Sequence, residues 1–274
     1  MSNYMNTHLK TVDIQQLILA LFLALLLIPS LAFPTHLLAQ TVFPSPIDDS
    51  EPESSSVAAP AVANPSAPVS LTRLQQQFWT AIKQDDDWAL SNAIYAGASP
   101  TSRLANGNTA LHQAVVIPSP HTAAMLLKQP GVDINARNNA GETPLMLAVL
   151  RGQIKMVQSL VSAQAAVNHP GWTALHYAAS ATYEQAPEMI ALLLDNFAYI
   201  DAESPNATTP LMMAARYGSS PNVAVLLESG ADSKLKNQQG LNALDFATAG
   251  AMPDSIAMLS EVLLKIETLP AGTW

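Results

Sequence analysis

The sequence predicts an all-α fold in which pairs of helices stack in a row. Three observations support this prediction. One six-residue phrase recurs five times, at steps of 34, 30, 36 and 33 residues. A segment ending in paired apolar residues precedes every copy, and a glycine lies 12 residues before three of the copies. A repeat of this length is a single supersecondary unit that buries its apolar face only against its neighbours.

The recurring phrase combines the residue types that start a helix. Its copies are Thr109–Ala114, Thr143–Ala148, Thr173–Ala178, Thr209–Ala214 and the degenerate Asn242–Ala247. The Thr hydroxyl accepts hydrogen bonds from the first helical turn, and the Pro that follows it in two copies has a helical φ and no N–H. A Leu and an Ala three residues apart share one face. Each phrase therefore predicts an inner helix packed closely on its neighbours.

The segment before each phrase predicts an outer helix. Gly97, Gly131 and Gly230 follow these segments and suit the left-handed conformation that ends a helix. The constant distance from these glycines to the next phrase predicts a hairpin, called a finger below, that joins one unit to the next.

Two departures from the repeat are adjacent. The third finger, residues 168–172, is about three residues shorter than the second, which predicts a dent in the row of fingers. The turn between the two helices of the next unit, residues 180–187, is long where other units have a short glycine turn. The two irregularities are either neutral drift on a tolerant scaffold or a feature that shapes a contact.

The N-terminal end of the array has the helix–turn–helix rhythm without the phrase, and at the C-terminal end an apolar helix follows the degenerate last copy. Gln75–Trp88 predicts an N-terminal capping unit with a polar face and Met252–Leu269 a C-terminal one, so six units span residues 71–269, followed by a tail at 270–274. The phrase and its period resemble the ankyrin repeat over about 200 residues. The resemblance implies an ankyrin solenoid that binds protein, in which His112 and His176 hydrogen-bond the capping Thr residues.

A run of 12 apolar residues, Leu17–Ile28, lies near the N-terminus. Its length and the small residues after it predict a signal peptide over residues 1–32, cleaved after Ala32 or after Ala39. Extended through Phe33, the run reaches 17 residues, so an uncleaved membrane anchor is an alternative and a buried core helix a further one. We expect a periplasmic protein, or a membrane-anchored periplasmic domain if the run is retained.

Residues 33–70 predict a disordered linker. Thr41–Ser70 holds six Pro and seven Ser, and its only charges are acidic: Asp48, Asp49, Glu51 and Glu53. Such a composition buries too little apolar surface to offset the chain entropy lost on folding.

Composition excludes several classes of function. The chain has no Cys, which excludes disulfides, thiolate catalysis and cysteine-ligated zinc. Its net charge is −9, and the absence of a basic stripe argues against a nucleic-acid partner. We expect a monomer that touches a membrane only through a retained N-terminal run.

The sequence holds no recognisable catalytic or metal-binding pattern. Four histidines lie in the repeat region, residues 71–269: His112, His121, His169 and His176. No pair of them has metal-ligand spacing, and no phosphate-binding glycine loop or nucleophile elbow is present. We expect no catalytic residue, metal or cofactor, and we expect His121 and His169 to be solvated.

Binding residues are predicted by register on the inner helices and by position on the fingers. The fifth residue of each phrase is expected to face a concave groove: Gln113, Leu147, Tyr177, Met213 and Phe246. Arg216 and Tyr217 add residue types that dominate binding hot spots. The alternative is that the fifth position packs locally between neighbouring helices. The finger candidates are Arg103, Arg137, Asn138, Asn139, Trp172, Asn206, Asn237 and Gln238. Trp172 is either an exposed anchor or a plug for the dent.

Three functions remain open on this sequence. The first is an adaptor or stabilising partner of another exported protein. The second is an immunity-type inhibitor of a toxic enzyme in the same compartment, and the third, which we favour least, is an enzyme.

Overall fold

The computed structural model describes residues 73–268; the predicted signal peptide, linker and tail lie outside the described residues. Twelve α-helices form six pairs in this part of the chain: α1 Arg73–Gln84 and α2 Asp87–Tyr95, α3 Ala110–Val116 and α4 Pro120–Leu126, α5 Pro144–Leu150 and α6 Ile154–Ser162, α7 Ala174–Ala179 and α8 Ala186–Asp195, α9 Pro210–Tyr217 and α10 Ser220–Glu228, and α11 Ala243–Ala249 and α12 Pro253–Thr268. Between residues 73 and 268 there is no β-strand. None of these twelve helices is long and apolar enough to span a membrane.

The odd-numbered helices are the inner helices, and each packs on the next odd-numbered helix along the chain. Each inner helix also packs on the outer helix of its own unit. The Leu and Ala of the phrase form the shared core, with exposures of 0–1%: Leu111, Ala114, Leu145, Ala148, Leu175, Ala178, Leu211 and Ala214. The small Ala side chains allow the neighbouring helix to approach closely, as the pattern predicted.

The first turns of four inner helices are capped by the first residue of the phrase. The side-chain oxygens of Thr109, Thr143 and Thr209 accept from the N–H three residues later at 3.4, 3.2 and 3.4 Å, and that of Asn242 does so at 3.1 Å. The capping Thr of α5 and of α9 is followed by a proline at the first helical position. These bonds satisfy donors that a helix N-terminus leaves free.

Side chains of one unit hydrogen-bond the inner helix of the unit before it. Ser119 Oγ donates to the carbonyl of Ile82 at 2.8 Å, Gln153 Nε2 to Val115 at 3.0 Å, Tyr183 Oη to Val149 at 2.8 Å and Asn222 Nδ2 to Ala179 at 3.0 Å. All four acceptors lie in the last turn of an inner helix, where carbonyls have no partner within the helix. These four bonds hold successive units in register.

The fingers are hairpins, with one exception. Four of them share one backbone pattern: Leu104 N–H donates to Asn108, Asn138 N–H to Glu142, Ser204 N–H to Thr208 and Asn237 N–H to Leu241. Among the described residues, the short third finger at 168–172 has no bond of this kind. The predicted shortening of the third finger is therefore confirmed as a missing hairpin at this place in the row.

Neighbouring fingers are tied together on either side of the dent. Asn139 N–H donates to the carbonyl of Asn106 at 3.1 Å, and Gln238 N–H to that of Asn206 at 3.0 Å. At the third finger, the Asn168 side chain donates to the carbonyl of Phe197 and accepts from the N–H of Tyr199. The row of fingers therefore consists of two tied pairs with the short third finger between them.

The N-terminal unit has the predicted polar face. Phe78, Trp79 and Ile82 are buried, and the opposite face of α1 carries exposed Gln76, Gln77 and Thr80. These three exposed residues line a shallow groove of about 570 Å³ between α1 and α2. A polar face at the end of a stack keeps its terminal unit soluble.

Candidate binding surface

The structure corrects the predicted exposure of the fifth position of the phrase. Leu147, Met213 and Phe246 are only 5%, 3% and 7% exposed, and Gln113 is 9% exposed. The inner helices α3, α5, α7 and α9 each lie between two others, and α11 packs on α9 and α12, so at this position the side chain is buried in the stack instead of facing a groove. Tyr177 is the exception, because it remains partly exposed. A binding role for the other four stays a prediction. Because these four side chains are buried, they could affect a partner only by supporting the residues above them.

The residues that do reach the surface follow a different register. The seventh and eighth residues after each capping residue are partly or fully exposed in all five units that carry the phrase. We call these residues the helix-end row: Val116, Ile117, Leu150, Arg151, Ser180, Ala181, Arg216, Tyr217, Ala249 and Gly250. The sequence prediction included Arg216 and Tyr217 but missed the others. The constant spacing from the capping residue, combined with residue types that vary from unit to unit, is the signal that would have found them.

Arg216 and Tyr217 form one feature of the helix-end row. The Arg216 guanidinium carbon lies 5.3 Å from the centre of the Tyr217 ring, and both side chains are partly exposed. A cation over an aromatic face is stabilised by the ring quadrupole. The two side chains thus hold each other in place at the end of α9.

Arg151, Tyr177 and Glu142 form a second feature, beside the short finger. Burial raises the pKa of Tyr177, and the negative charge of Glu142 raises it further. Burial lowers the pKa of Arg151, and the charge of Glu142 opposes that effect. The Glu142 carboxylate is 5% exposed and accepts a hydrogen bond from Asn138 Nδ2 at 2.9 Å. Glu142 is thereby held by Asn138, and the buried Nε of Arg151 has no hydrogen-bond partner.

Most finger candidates hold the fingers together. Arg103 donates to the carbonyls of Gly107 and Arg137 at 3.0 and 2.7 Å. The side chains of Asn138, Asn139 and Gln238 donate to acceptors of the preceding finger, which are Asn108 Oδ1, the Ala105 carbonyl and the Pro205 carbonyl.

Other finger candidates differ in exposure. Asn237 is 7% exposed and bonds within its own finger, which corrects its placement on the rim. Asn206 is partly exposed and accepts from Ser204 Oγ at 2.5 Å. Arg137 is exposed, and its positive charge helps to lower the pKa of His169 on the short finger. The charge of Arg137 therefore acts on the short finger.

Trp172 closes the dent. Its ring is partly buried and meets the His176 ring edge to face, with centroids 5.2 Å apart and planes at 74°. Of the two alternatives for Trp172, the geometry favours the plug, because the ring packs on the start of α7.

The histidines of the phrase have the structural role that the resemblance implied. His112 Nδ1 accepts from the Thr109 N–H at 3.2 Å, which places the ring proton on Nε2, and Nε2 donates to the carbonyl of Glu142 at 2.9 Å. His176 makes the same two bonds, to Thr173 and to the carbonyl of Thr208. Each ring thus joins an inner helix to the next finger.

The two remaining histidines differ from each other. His121 is exposed as predicted, and its Nδ1 lies 2.7 Å from Asp85 Oδ2, which raises the pKa of His121. The prediction that His169 is solvated is wrong, because its ring is partly buried, its Nε2 is buried without a partner, and burial lowers its pKa. Among the described residues, no three His, Asp or Glu side chains converge as metal ligands.

Large apolar side chains away from the helix-end row are also exposed. Trp88 and Tyr95 on α2 are 75% and 95% exposed, and Phe197 and Tyr199 after α8 are 84% and 69% exposed. Phe197 has a φ of +63°, at the helix-ending position that Gly97 and Gly230 occupy elsewhere. These exposed aromatic residues supply controls for tests of the surface that contains the helix-end row and Tyr177.

Comparison with known proteins agrees with this architecture. The family profile described as "Ankyrin repeats (3 copies)" matches four overlapping segments, residues 78–170, 117–204, 165–239 and 181–266. The human B-cell lymphoma 3 protein is 36% identical over 137 residues, which is 46% of this chain and 30% of that protein. The ankyrin repeat protein nuc-2 of Neurospora crassa is 27% identical over 233 residues, which is 82% of this chain and 21% of that protein. This chain therefore spans less than a third of the length of these relatives.

Solved structures are similar over most of the repeat domain. One is a complex of a predatory endopeptidase from Bdellovibrio bacteriovorus with an immunity protein, matched with a TM-score of 0.58 and 28% identity over 68% of this chain and 97% of that chain. Another is the ankyrin repeat domain of Bcl-3, with a TM-score of 0.59 and 29% identity over 67% of this chain and 81% of that chain. An ankyrin repeat domain from Acinetobacter baumannii shares the fold, at 24% identity and a TM-score of 0.58.

Proposed function

Because this chain belongs to the ankyrin repeat family, whose stacked units bind proteins, we propose that it is an exported, non-catalytic binding module that acts on another exported protein. The observation that carries the proposal is the helix-end row. Its residues lie at the ends of five successive inner helices, are partly or fully exposed, and include two arginines and a tyrosine. Arginine and tyrosine are enriched in the residues that dominate protein–protein interfaces.

The short third finger is the proposed centre of the binding surface. Arg137 precedes the finger before it, Arg151 follows α5, and Tyr177 lies in α7, the helix into which the short finger leads, whereas Arg216 and Tyr217 belong to the next phrase-bearing unit. The surrounding backbone is fixed by the bonds of Asn168, Tyr183 and Asn222. A preorganised surface of this kind loses little conformational entropy on binding.

Export is the part of the proposal that the N-terminal sequence supports. The apolar run Leu17–Ile28 has the length of a signal-peptide core. Mass spectrometry of the N-terminus of the protein recovered from cells tests this directly. A mature start at Phe33 or Gln40 agrees with export, whereas an intact N-terminus in the cytosolic fraction contradicts it.

Affinity capture after in-cell crosslinking tests the binding function. We expect the tagged full-length chain to capture one dominant exported protein, and we expect Tyr177→Ala with Tyr217→Ala to abolish capture. The matched control is Tyr95→Ala with Tyr199→Ala, which removes two exposed tyrosines away from the helix-end row. Far-UV circular dichroism must stay helical in both variants. Equal capture by the wild type and by Tyr177→Ala with Tyr217→Ala would reject this surface.

A second function, an immunity-type inhibitor, is favoured by the similarity to the complex of an immunity protein with an endopeptidase. The adaptor and the inhibitor differ in what they do to the captured partner. If the partner is a hydrolase whose turnover falls when one equivalent of this chain is added, the inhibitor is correct. A partner whose activity is unchanged or increased indicates the adaptor or stabilising role, which is otherwise our first choice.

A further inference from the structure

We propose that the second finger binds a turn of the protein partner, and that this turn carries an Asn or a Gln and takes the place of the missing third hairpin. The inference rests on the proposed function and names the part of the partner that is recognised. It is carried by the bonds that join the fingers to each other, by two backbone acceptors of the second finger that lack such bonds, and by the open space beside them.

The bonds between neighbouring fingers follow one rule. In the first tied pair, Asn139 of the second finger donates its backbone N–H to the carbonyl of Asn106 at 3.1 Å and its side-chain amide to the carbonyl of Ala105 at 3.0 Å. In the other pair, Gln238 of the fifth finger donates in the same way to the two equivalent carbonyls of the fourth finger, at 3.0 and 2.9 Å. One amide residue at the tip of a finger thus holds two carbonyls at the tip of the finger before it.

The second finger has the same two acceptors, but no finger is bonded to them. Its carbonyls equivalent to those of Ala105 and Asn106 belong to Asn139 and Ala140, because the two hairpins share one pattern of backbone bonds. Both residues are exposed, and in the described part of the chain neither carbonyl accepts a hydrogen bond. The hairpin that would supply the donor is the one missing at residues 168–172. An unpaired backbone edge is a place where another chain adds through main-chain hydrogen bonds.

The space beside these two carbonyls is open. In the first finger, a Cβ added to Gly107 would lie 2.6 Å from the backbone nitrogen of Asn139, because the second finger covers it. In the second finger, a Cβ added to the equivalent Gly141 would meet no heavy atom of the described residues within 4 Å. Gly107 is correspondingly buried and Gly141 exposed. The side of the second finger that a following hairpin would cover is therefore accessible.

The fourth finger, which comes next in the row after the short one, lacks the donor that the rule requires. Its residue equivalent to Asn139 and Gln238 is Pro205, which has neither a backbone N–H nor a side-chain amide. Pro205 is exposed, and a Cβ added to Gly171 of the short finger would lie 3.7 Å from its ring. The fourth finger therefore cannot satisfy the carbonyls of the second finger, and a partner does not compete with it for them.

The two donating fingers define the chemistry of the ligand. In both of them the donor, Asn139 or Gln238, follows an Asn and lies two residues before a glycine with a φ of +78° or +77°. The partner's turn is therefore of the kind Asn-(Asn or Gln)-x-Gly, where x is any residue. The fifth finger ends the row of hairpins and also has two free carbonyls, but a turn bound there would have a finger on one side only.

Fluorescence anisotropy with labelled cyclic peptides tests the site on the full-length chain. The first probe is a cyclised peptide with the sequence of residues 235–241, and the second is the same peptide with Gln238→Pro, which removes both donors. We expect the first probe to bind and the second to bind about tenfold more weakly or worse. No binding of the first probe at millimolar concentration, or equal binding of the two probes, would overturn the inference.

A chain with a rebuilt third finger is the matched variant. In this variant residues 169–172 are replaced by a copy of residues 136–142, which gives the third finger the length and the donor of the second. Because the new hairpin bonds the two carbonyls, we expect binding of the first probe to weaken about tenfold or more, while the free energy of unfolding in urea stays the same or rises. Equal binding to the rebuilt and wild-type chains would place the probe at another site and would overturn the inference. If the rebuilt chain does not fold, the comparison of the two probes on the wild type decides.

Crosslinking capture separates this inference from the proposed function. If the wild type and a helical rebuilt chain capture the same partner equally well, the binding function stands and the contact at the second finger is wrong. If the wild type captures no partner, the proposed function fails, and the peptide assay decides separately whether the site exists. Capture that the rebuilt chain loses, while its circular dichroism stays helical, supports both.

Discussion

Lowering the pH from neutral to about 4 is expected to destabilise the repeat domain through His176. Burial lowers the pKa of His176 from 6.5 to about 4, and its ring is 1% exposed. The folded protein keeps this ring neutral, because Nδ1 accepts a hydrogen bond from the Thr173 N–H. In the unfolded chain this histidine binds a proton below a pH near 6.5. Proton binding stabilises the unfolded state relative to the folded one, so the free energy of unfolding falls below that pH.

The size of the effect follows from the shift. The free energy of unfolding has its full value, as far as His176 is concerned, above pH 6.5, and it decreases progressively as the pH falls towards 4. One pKa unit corresponds to about 1.4 kcal/mol, so the shift from 6.5 to about 4 lowers the free energy of unfolding by roughly 3 kcal/mol. His112 is expected to act in the same direction, because burial also lowers its pKa.

The chain supplies its own control for this prediction. Met146 and Met212 occupy the equivalent position in two other units, and each thioether sulfur accepts from its capping Thr N–H at 3.5 Å. The variant His176→Met should therefore fold and should lack the titration. Urea unfolding, followed by circular dichroism from neutral pH to pH 4, gives the free energy of unfolding of both proteins.

The difference between the two proteins isolates the histidine, because the carboxylates titrate in both. We expect the wild type to lose roughly 3 kcal/mol more than His176→Met between neutral pH and pH 4. If the two proteins lose stability in parallel over that range, the argument about the neutral buried ring is refuted.

Three further predictions concern the bonds between units. Asn222→Ala removes a buried amide that donates to the carbonyls of Ala179 and Ala181 at 3.0 and 2.8 Å, and chemical denaturation should show a loss of about 2 kcal/mol. Gly107→Ala would place a Cβ 2.3 Å from Asn139 Oδ1, at a φ of +79°, and should lower the melting temperature; an unchanged value would contradict the finger geometry. Ala207→Gly should raise the free energy of unfolding by about 1 kcal/mol, because Ala207 has a φ of +58° where three other fingers have glycine, and a decrease would show that its methyl group is needed.

The six units and their helix starts could be predicted from the sequence because local chemistry determines them. A Thr at the cap and a Pro at the first helical position favour a helix start through local interactions, and the close approach of helices needs the Ala that follows in the phrase. The short third finger was likewise visible as a missing length of chain. These features depend on residues near one another in sequence.

The exposure of the residues on the inner helices was predicted less well, because it depends on the packing of neighbouring units. Viewed on one helix, the fifth residue of the phrase, such as Leu147 or Met213, lies on a face that is free of its own outer helix. In the stack, the fifth residues of α3, α5, α9 and α11 are buried, whereas the residues at the ends of these helices stay partly or fully exposed. The helix-end row follows from this packing, which a register argument on an isolated helix does not contain.

The two adjacent irregularities are better explained as a rigid feature than as loosely tolerated drift. The long turn at 180–187 is held from both sides: Tyr183 donates to Val149 of the unit before it, and Asn222 of the unit after it donates to Ala179 and Ala181. Burial raises the pKa of Tyr183 to about 12, so this hydroxyl remains a donor at any physiological pH. The short finger beside this turn is closed by Trp172 and leaves Tyr177 partly exposed. A chain that had merely drifted would not need buried side chains from two units to hold its loop, whereas a surface that must present Arg151 and Tyr177 in a fixed arrangement would.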